Sequence, residues 1–333
     1  MTRSRHLALV APDSFKGTLS AAEVAGAIAR GLRAGGVDAV ELPVADGGEG
    51  TLDVLVEAMG GESAVATVSD PLGRPVEASF GLLPDGVTAV VETAQASGLS
   101  LVAERERDAF AASTRGTGEL IAAAVEAGAK TVIVTVGGSA TTDGGAGALA
   151  ALDEAGVKVR LEVWCDVRTA WEDAAAVFGP QKGADAATVK RLARRMSGLA
   201  AKAPKDPRGV PMTGAAGGLA GGLWAWRGAQ LIAGAPAVLN AIGFDERMRE
   251  SMFVVTGEGR LDRQTFAGKA VFEVATRARQ SGVACHAVVG SSTLEPFEER
   301  ILDLQTVTEA TTEAELERAG QAVAEQVLAS TAV

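Results

Sequence analysis

The chain has 333 residues, which is more than one hydrophobic core usually organises, so we expect two domains. Hydrophobic residues make up 47% and charged residues 22%, a balance typical of globular proteins. The formal net charge of -11, with no run of basic residues, excludes binding to nucleic acid or to an acidic membrane surface through clustered Lys and Arg.

The N-terminal apolar stretch, Leu7–Ala11, is too short for a signal peptide, and no segment has the roughly 18 unbroken apolar residues of a membrane helix. We therefore expect a cytoplasmic protein with no membrane partner. Cys165 and Cys285 lack any CxxC or metal-binding spacing, so we expect reduced core thiols. Neither His6 nor His286 is accompanied by a Ser or Cys in a nucleophile arrangement, so we expect both histidines to be structural.

The first sixty residues predict the order strand, helix, strand, helix. In sequence order these elements are a strand at 6–11, a helix at 19–32, a strand at 39–44 and a helix that ends near Gly60. Ser20 and Glu23 resemble a capping box at the start of the first helix.

The pattern then changes to short alternating segments separated by Pro and Gly turns, which predicts antiparallel strands. These strands are 63–68, 75–83 and 87–92. Helices and strands alternate again afterwards, as helix 117–127, strand 131–136, a helix beginning near Asp143 and strand 161–167. The last part contains strand 253–256, helix 269–280, strands 284–290 and 302–307, and helix 312–328.

This alternation at both ends of the chain predicts an α/β fold with two domains. We expect residues 1–62 with 246–333 to form a flavodoxin-like or Rossmann-like domain, and residues 63–245 to form an inserted mixed α/β domain. Right-handed crossovers would place the ligand loops at the carboxyl ends of the strands.

Four loops that follow predicted strands concentrate polar, charged and glycine residues, which is where α/β folds collect ligand sites. The first loop, residues 11–17, carries a carboxylate, a hydroxyl and an ammonium group just before a helix. These groups belong to Asp13, Ser14 and Lys16. Backbone N–H groups and Lys16 could hold an anion there.

The second and fourth loops supply carboxylates. The second contains Asp46 and Glu49, a spacing that can face a hydrated Mg²⁺, although Asp46 could serve only as a helix N-cap. The fourth contains Glu258 and precedes Lys269; a salt-bridged surface turn is its alternative. We predict metal binding for Asp46, Glu49 and Glu258, and substrate or phosphate binding for Lys269.

The third loop has five glycines within residues 137–147, a composition suited to a phosphate or substrate cradle. The predicted contacts in this loop are Gly137, Gly138, Ser139, Thr141, Gly144 and Gly145. Asp166, after its strand, could act as general base or could be a buried acid that caps a loop, and Asp143 is a second candidate base. Lys182, in a Pro/Gly turn, is a candidate phosphate contact or a solvated loop lysine.

The chain contains neither GxxxxGK[ST] nor the HRD and DFG motifs, which excludes an ordinary P-loop site and a protein-kinase site. Phosphoryl transfer needs cations for the phosphate oxygens, a carboxylate-held metal and an acid near the attacking hydroxyl. The four loops supply all of these, so we predict Lys16, Lys182, Asp143 and Asp166 to be catalytic.

Seven segments carry a resemblance that spans nearly the whole chain. They are APDSFKGTLSA, PVADGGEGT, STRGTGEL, GGSATTDGGAG, VFGPQKGA, TGAAGGL, and VVTGEGRLDRQT with AGK. In this order they resemble the bacterial glycerate kinases of type I, the glycerate 2-kinase-like family that is unrelated to P-loop kinases. The stretch between Gly147 and Val163 is shorter than the family pattern.

The resemblance implies ATP-dependent phosphorylation of D-glycerate to 2-phosphoglycerate, with ATP and Mg²⁺, and a flavodoxin-like domain formed by both chain ends. The family's motif positions are occupied by Ser14, Lys16, Asp46, Glu49, the residues from Ser139 to Asp143, Lys182 and Glu258. Two alternatives stay open: a kinase for another small hydroxy or sugar acid, and a non-catalytic sensor of such an acid.

Overall fold

The computed structural model describes residues 7–331, and it divides into two compact units. The terminal unit comprises the chain up to Asp46 and from Ala235 onward, and the inserted unit runs from Gly47 to Gly234. The expected α/β class, with one unit built from both chain ends, is confirmed. His6, at the start of the first predicted strand, lies outside the described residues.

Strands β1 to β11 are Leu7–Pro12, Asp38–Glu41, Glu62–Ser69, Pro75–Leu82, Thr88–Glu92, Thr131–Val136, Arg160–Cys165, Gln230–Ala233, Phe253–Gly257, Ala284–Val289 and Leu304–Glu309. Helices α1 to α13 are Ala21–Ala34, Thr51–Met59, Thr93–Ser97, Arg115–Glu126, Ala146–Glu154, Ala174–Phe178, Ala186–Ala200, Leu219–Arg227, Gly234–Ala241, Phe244–Glu250, Ala270–Gln280, Pro296–Ile301 and Glu313–Thr331. Short 3₁₀ turns include Trp171–Asp173, Pro180–Lys182, Ala215–Gly218 and Thr265–Ala267.

The terminal unit is built on a parallel sheet with the strand order β11-β10-β9-β1-β2. From β1 the chain proceeds to β2 on one side, whereas β9, β10 and β11 follow one another on the other side. The order therefore reverses between β1 and β9, and such a switch point is where open parallel sheets bind ligands outside their carboxyl ends. Apolar residues of β1, β9, α1 and α13 form the core beneath it.

Helix α1 begins as the sequence predicts. Ser20 Oγ accepts a hydrogen bond from Glu23 N at 3.2 Å, and the Glu23 carboxylate accepts one from Ser20 N at 2.8 Å. These reciprocal bonds are the capping box that satisfies two otherwise unpaired backbone donors. They fix the point at which the first polar loop ends and the helix starts.

The inserted unit is built on a sheet with the order β3-β4-β5-β6-β7-β8. Strands β3, β4 and β5 are antiparallel neighbours, as the alternating pattern predicts, and β5 to β8 are parallel. One face of β5, β6 and β7 packs against α4, α5 and α8 in the main apolar core. The carboxyl ends of β5, β6 and β7 thus lie at one edge, where Glu92 ends β5 and Gly137 and Asp166 follow β6 and β7.

The division between the units differs from the expected boundaries after residues 62 and 245. Helix α2 belongs to the inserted unit because its buried Leu52 packs on β4, where a Cβ at Gly81 would lie 3.0 Å from the leucine side chain. Residues 235–245 belong to the terminal unit, since Arg277 of α11 bonds to the Pro236 carbonyl and to Asn240 Oδ1.

The remaining expectations about single residues concern the core. Cys165 and Cys285 are buried free thiols, as predicted, and burial raises the pKa of each. His286 is buried beside the Phe253 ring and bonds to Thr306, and burial lowers its pKa to about 4, in agreement with a structural role. Among residues 7–331, no helix has the length and apolar character needed to cross a membrane.

Candidate active site

The first candidate site is the terminal pocket, a cavity of about 360 Å³ at the carboxyl ends of β1 and β9. It lies at the switch point of the parallel sheet. Six of the residues predicted from sequence line it: Asp13, Ser14, Lys16, Asp46, Glu258 and Lys269. Arg260, Ser291 and Thr311, which the sequence patterns did not single out, line it as well.

Asp13 is a buried acid of the terminal pocket. Its backbone N donates to the Gly257 carbonyl at 2.8 Å, which joins the ends of β1 and β9, and its carboxylate accepts a bond from Ser14 N at 2.6 Å. The pKa of Asp13 is raised to about 8, mainly by burial and also by the negative charge of Asp46, while the charge of Lys16 opposes the rise. Burial and the nearby negative charge thus favour the neutral form of Asp13.

Two lysines accompany these acids. Lys16 Nζ lies 3.7 Å from Asp46 Oδ2, and Lys269 Nζ lies 3.5 Å from Glu258 Oε2. Thr265 Oγ1 donates to Glu258 Oε1 at 2.6 Å, which fixes that carboxylate. Burial raises the pKa of Glu258, and the charge of Lys269 opposes the rise. Carboxylates paired with lysines in one cavity suit a metal-bound polyphosphate.

The three acids predicted to bind a metal ion are distributed over both units. Asp46 and Glu258 line the terminal pocket, but Glu49 belongs to the inserted unit. Within residues 7–331, no three His, Cys, Asp or Glu side chains are arranged to hold a metal ion. Mg²⁺ usually needs only one or two protein carboxylates, since waters and substrate phosphates complete its shell.

The second candidate site is the inserted pocket, a smaller cavity of about 70 Å³ at the carboxyl ends of β6 and β7. The predicted residues that line it are Gly137, Gly138, Ser139, Asp166 and Lys182. Val167, Phe178, Gln181 and Ala216 add apolar and amide surface.

Lys182 is buried in the inserted pocket, so the alternative of a solvated loop lysine is wrong. Its Nζ donates to Ser139 Oγ at 3.0 Å and to the Thr141 carbonyl at 2.6 Å, and lies 5.8 Å from the centre of the Phe178 ring. Burial lowers the pKa of Lys182 to about 7, while the negative charges of Asp143 and Asp166 oppose the decrease. A lysine in this state changes charge near neutral pH.

Gly137 and Gly138 are needed because another loop approaches them closely. A Cβ at Gly137 would lie 2.6 Å from Gly48 Cα, and one at Gly138, where φ is +60°, would lie 3.0 Å from Glu49 Oε2. The loop that carries Glu49 therefore packs directly on the glycine turn after β6. This contact brings Glu49 beside the predicted phosphate loop, within the inserted unit.

The roles predicted for Asp143, Gly144 and Gly145 need correction. The Asp143 carboxylate accepts bonds from Thr114 N, Thr114 Oγ1, Gly145 N and Gly147 N at 2.9 to 3.1 Å. Its acceptor sites are filled, so it fastens the loop and is poorly placed to accept a substrate proton. Gly144 and Gly145 face Trp171 and Leu219, where a side chain would clash, and neither lines the inserted pocket.

Replacing Asp143 with asparagine is expected to destabilise the protein by about 1–3 kcal/mol, because the amide turns a donor toward backbone N–H groups that need an acceptor. Thermal unfolding of the variant and the wild type measures this loss. An unchanged melting temperature together with a loss of turnover of a hundredfold or more would instead identify Asp143 as the general base.

Glu92 is a buried acid of the inserted unit that the sequence patterns missed. It ends β5, is buried, and its Oε2 accepts bonds from Gly50 N at 3.0 Å and Leu52 N at 3.1 Å. Burial raises the pKa of Glu92 to about 7, and these two bonds oppose the rise. Glu92 thus caps the first turn of α2 and positions the loop that carries Glu49. A carboxylate directly after the apolar run Ala89–Val91 is the signal that could have revealed it.

Both bonds to Glu92 use the same oxygen, which gives a specific prediction. Glu92→Gln keeps an acceptor at that position and removes a buried charge, so it is expected to have at least the wild-type melting temperature and to retain turnover. Glu92→Ala leaves two backbone donors unpaired and is expected to cost about 1–3 kcal/mol of stability. Equal losses in the two variants, measured by thermal unfolding, would show that the charge of Glu92 matters rather than its capping bonds.

Comparisons with known proteins agree with the functional class that this geometry indicates. The sequence pattern described as the Glycerate kinase family matches residues 8–157 and 152–332. The two matched segments overlap at residues 152–157, at the end of α5 and in the connection to β7.

Two curated relatives cover most of the chain. The glycerate kinase of Bacillus subtilis (strain 168) is 43% identical over 322 residues, which covers 85% of this chain and 84% of the relative. The glycerate 2-kinase of Escherichia coli (strain K12) is 40% identical, covering 86% of this chain and 85% of the relative. A crystal structure described as that of a candidate glycerate kinase 2 from Salmonella typhimurium LT2 aligns with a TM-score of 0.82 and 34% identity, over 99% of this chain and all of the other.

The α/β fold, the lysine and carboxylate pockets and these comparisons define the chain as a phosphotransferase. It belongs to the glycerate kinase family, as the sequence motifs indicated.

Proposed function

We propose that the chain transfers the γ-phosphoryl group of ATP to D-glycerate and forms 2-phospho-D-glycerate and ADP. The observation that carries this proposal is the pair of strand-end pockets, one with carboxylates beside two lysines and one with a buried lysine beside Asp166. Phosphoryl transfer needs these groups. The names of the relatives support the acid, and that of the Escherichia coli relative supports the 2-position.

The terminal pocket has the donor chemistry for Mg²⁺. Asp46 and Glu258 offer the carboxylate oxygens that Mg²⁺ prefers, and the raised pKa of Asp13 indicates a cluster that a cation would stabilise. When bound, Mg²⁺ would neutralise charge on the transferring phosphates. Lys16 and Lys269, on the rim of the same cavity, bind phosphate oxygens in this proposal.

In the inserted pocket, Asp166 accepts the proton of the attacking hydroxyl in this proposal. The hydroxyl oxygen forms a bond to the γ-phosphorus, the bond from that phosphorus to the β-γ bridging oxygen breaks, and ADP leaves. Asp166 follows β7 and lines the cavity together with Lys182, whose pKa its charge raises. A carboxylate in hydrogen-bond reach of the hydroxyl is what this step requires.

The test is a coupled ADP-release assay with MgATP and D-glycerate, followed by phosphorus NMR of the product. ADP release that depends on D-glycerate, with 2-phospho-D-glycerate as product, supports the proposal. Release with a different hydroxy or sugar acid would identify another kinase of this type. Acid binding without ADP release across an acid panel would identify a sensor and reject the kinase activity.

A further inference from the structure

We propose that the two pockets divide the substrates: the inserted pocket binds the hydroxy acid, and the terminal pocket binds the triphosphate of the nucleotide. This inference rests on the proposed kinase function and assigns one ligand class to each cavity. Its evidence is the size, the charge and the lining of each cavity.

The sizes of the cavities match the two ligands. The terminal pocket, at about 360 Å³, is about five times larger than the inserted pocket, at about 70 Å³. D-glycerate is a three-carbon acid, whereas ATP is several times larger. The order of the two cavity sizes therefore matches the order of the two ligand sizes.

The lining of the inserted pocket fits a monocarboxylate with neighbouring hydroxyls. Of the described residues that line it, Lys182 carries the one positive charge, which matches a single carboxylate and is far too little for a triphosphate. The Ser139 hydroxyl, held 3.0 Å from Lys182 Nζ, lies beside that charge. Asp166 supplies an acceptor for a substrate hydroxyl, and Val167 and Phe178 supply apolar surface for the carbon chain.

The residues that line the terminal pocket suit a polyphosphate that carries a metal ion, and they disfavour binding of a free monocarboxylate. Lys16, Arg260 and Lys269 give it three cations, and Asp13, Asp46 and Glu258 give it three acids. The acids would repel the carboxylate of a small acid unless a metal ion lay between them. A triphosphate that brings Mg²⁺ satisfies the acids and the cations together.

This division predicts the acid specificity of the enzyme. Phe178 and Val167 border the inserted pocket, so a six-carbon sugar acid would meet these side chains more than a three-carbon acid would. We therefore expect the inserted pocket to favour short hydroxy acids such as glycerate over six-carbon sugar acids.

The experiment is isothermal titration calorimetry on the full chain at pH 7 with two probes, D-glycerate and Mg²⁺ with the non-hydrolysable analogue AMPPNP. D-glycerate is titrated both alone and at saturating Mg-AMPPNP, so that an ordered mechanism is not mistaken for lost binding. Two variants address the inserted pocket, Lys182→Met and Val167→Phe, the second of which fills the cavity without removing a buried charge. Lys16→Met with Lys269→Met addresses the terminal pocket, and Lys190→Met, on the exposed face of α7, is the matched control.

We expect Lys182→Met to weaken D-glycerate binding by about thirtyfold or more through the loss of a charged contact. We expect Val167→Phe to weaken it to a similar degree by filling the cavity, and both variants to change Mg-AMPPNP binding by less than about twofold. The terminal-pocket double variant should show the reverse pattern. D-glycerate binding lost in the terminal-pocket variant and kept in Val167→Phe would overturn the assignment. The ADP-release assay on the same wild-type preparation tests the kinase function separately, since the reversed binding pattern with normal turnover rejects only the division of the substrates.

Discussion

Replacing Asp13 with asparagine is expected to raise the melting temperature of the protein and at the same time to lower its turnover. The native carboxylate is buried beside Asp46 and Glu258, and burial raises its pKa from 3.8 to about 8. Because the folded-state pKa lies above the unfolded value, Asp13 costs folding stability as the pH rises from about 4 to about 8. Asparagine has nearly the same shape, keeps the acceptor for Ser14 N and removes the buried charge.

The gain should be about 3 °C or more at pH 8.5 and should vanish at pH 4, both measured without divalent metal by differential scanning calorimetry. In the same variant we expect a 10- to 100-fold lower kcat and a higher Mg²⁺ concentration for half-maximal activity. The reason is that the acid beside the carboxylates proposed to bind the metal is lost. The control is Asp38→Asn, an exposed acid of the same unit, which should change neither quantity. A lower melting temperature in Asp13→Asn would mean that the carboxylate stabilises the fold rather than serves the ligand.

The expected gain in stability and loss of turnover in Asp13→Asn have opposite signs, because a buried acid serves a ligand at the expense of the fold. For the same reason the terminal pocket could be predicted from sequence. Asp13 and Glu258 directly follow the apolar strands β1 and β9, where parallel sheets place ligand groups and where burying an acid has no structural benefit. Short-range signals were equally informative. The capping box at Ser20 and the limits of β6 follow from spacing and apolar pattern within a few residues.

Long-range packing is what the sequence could not reveal. The glycines after β6 look alike in sequence, yet Gly137 meets the loop at Gly48, whereas Gly144 meets Trp171, some thirty residues away in the chain. Asp143 likewise resembles a candidate base until its partners, the Thr114 backbone and hydroxyl, are known. Glu92 escaped notice because its partners lie forty residues earlier. In each case the role depends on which distant segment the fold brings near.

The same limit applies to whole elements. Helix α8 and strand β8 were not predicted, because small residues and glycine dominate the segment around Gly214–Gly222 and weaken its apolar periodicity. The burial of Lys182 depends on this region, since Ala216 lines the same pocket. A lysine in a Pro/Gly turn reads as solvated until the packing around it is known, and its buried state leads to the prediction with the clearest pH dependence.

Binding of D-glycerate is expected to draw a proton into the protein near neutral pH, through Lys182. Its pKa is lowered from 10.5 to about 7 by burial, so the side chain is about half ammonium at pH 7 in the free enzyme. The charged groups that act on it, Asp143 and Asp166, raise this pKa without overcoming burial. A bound carboxylate favours the ammonium form, so about half a proton should be taken up per acid bound at pH 7, and close to one at pH 8.5.

Calorimetry in two buffers of different ionisation enthalpy measures this uptake directly, and Lys182→Met should abolish it while Lys190→Met should not. The same titration predicts the pH dependence of turnover. At saturating MgATP, kcat/KM for D-glycerate should fall about fiftyfold between pH 7 and pH 9, because Lys182 of the free enzyme loses its proton. Asp13 and Glu92 also have raised pKa values in this range, so the pH profile of kcat/KM does not by itself show which group titrates. Lys182 is identified by the proton uptake that is lost in Lys182→Met. Proton uptake that persists in Lys182→Met would place the acid's carboxylate elsewhere, since no other lysine lines the inserted pocket among the described residues.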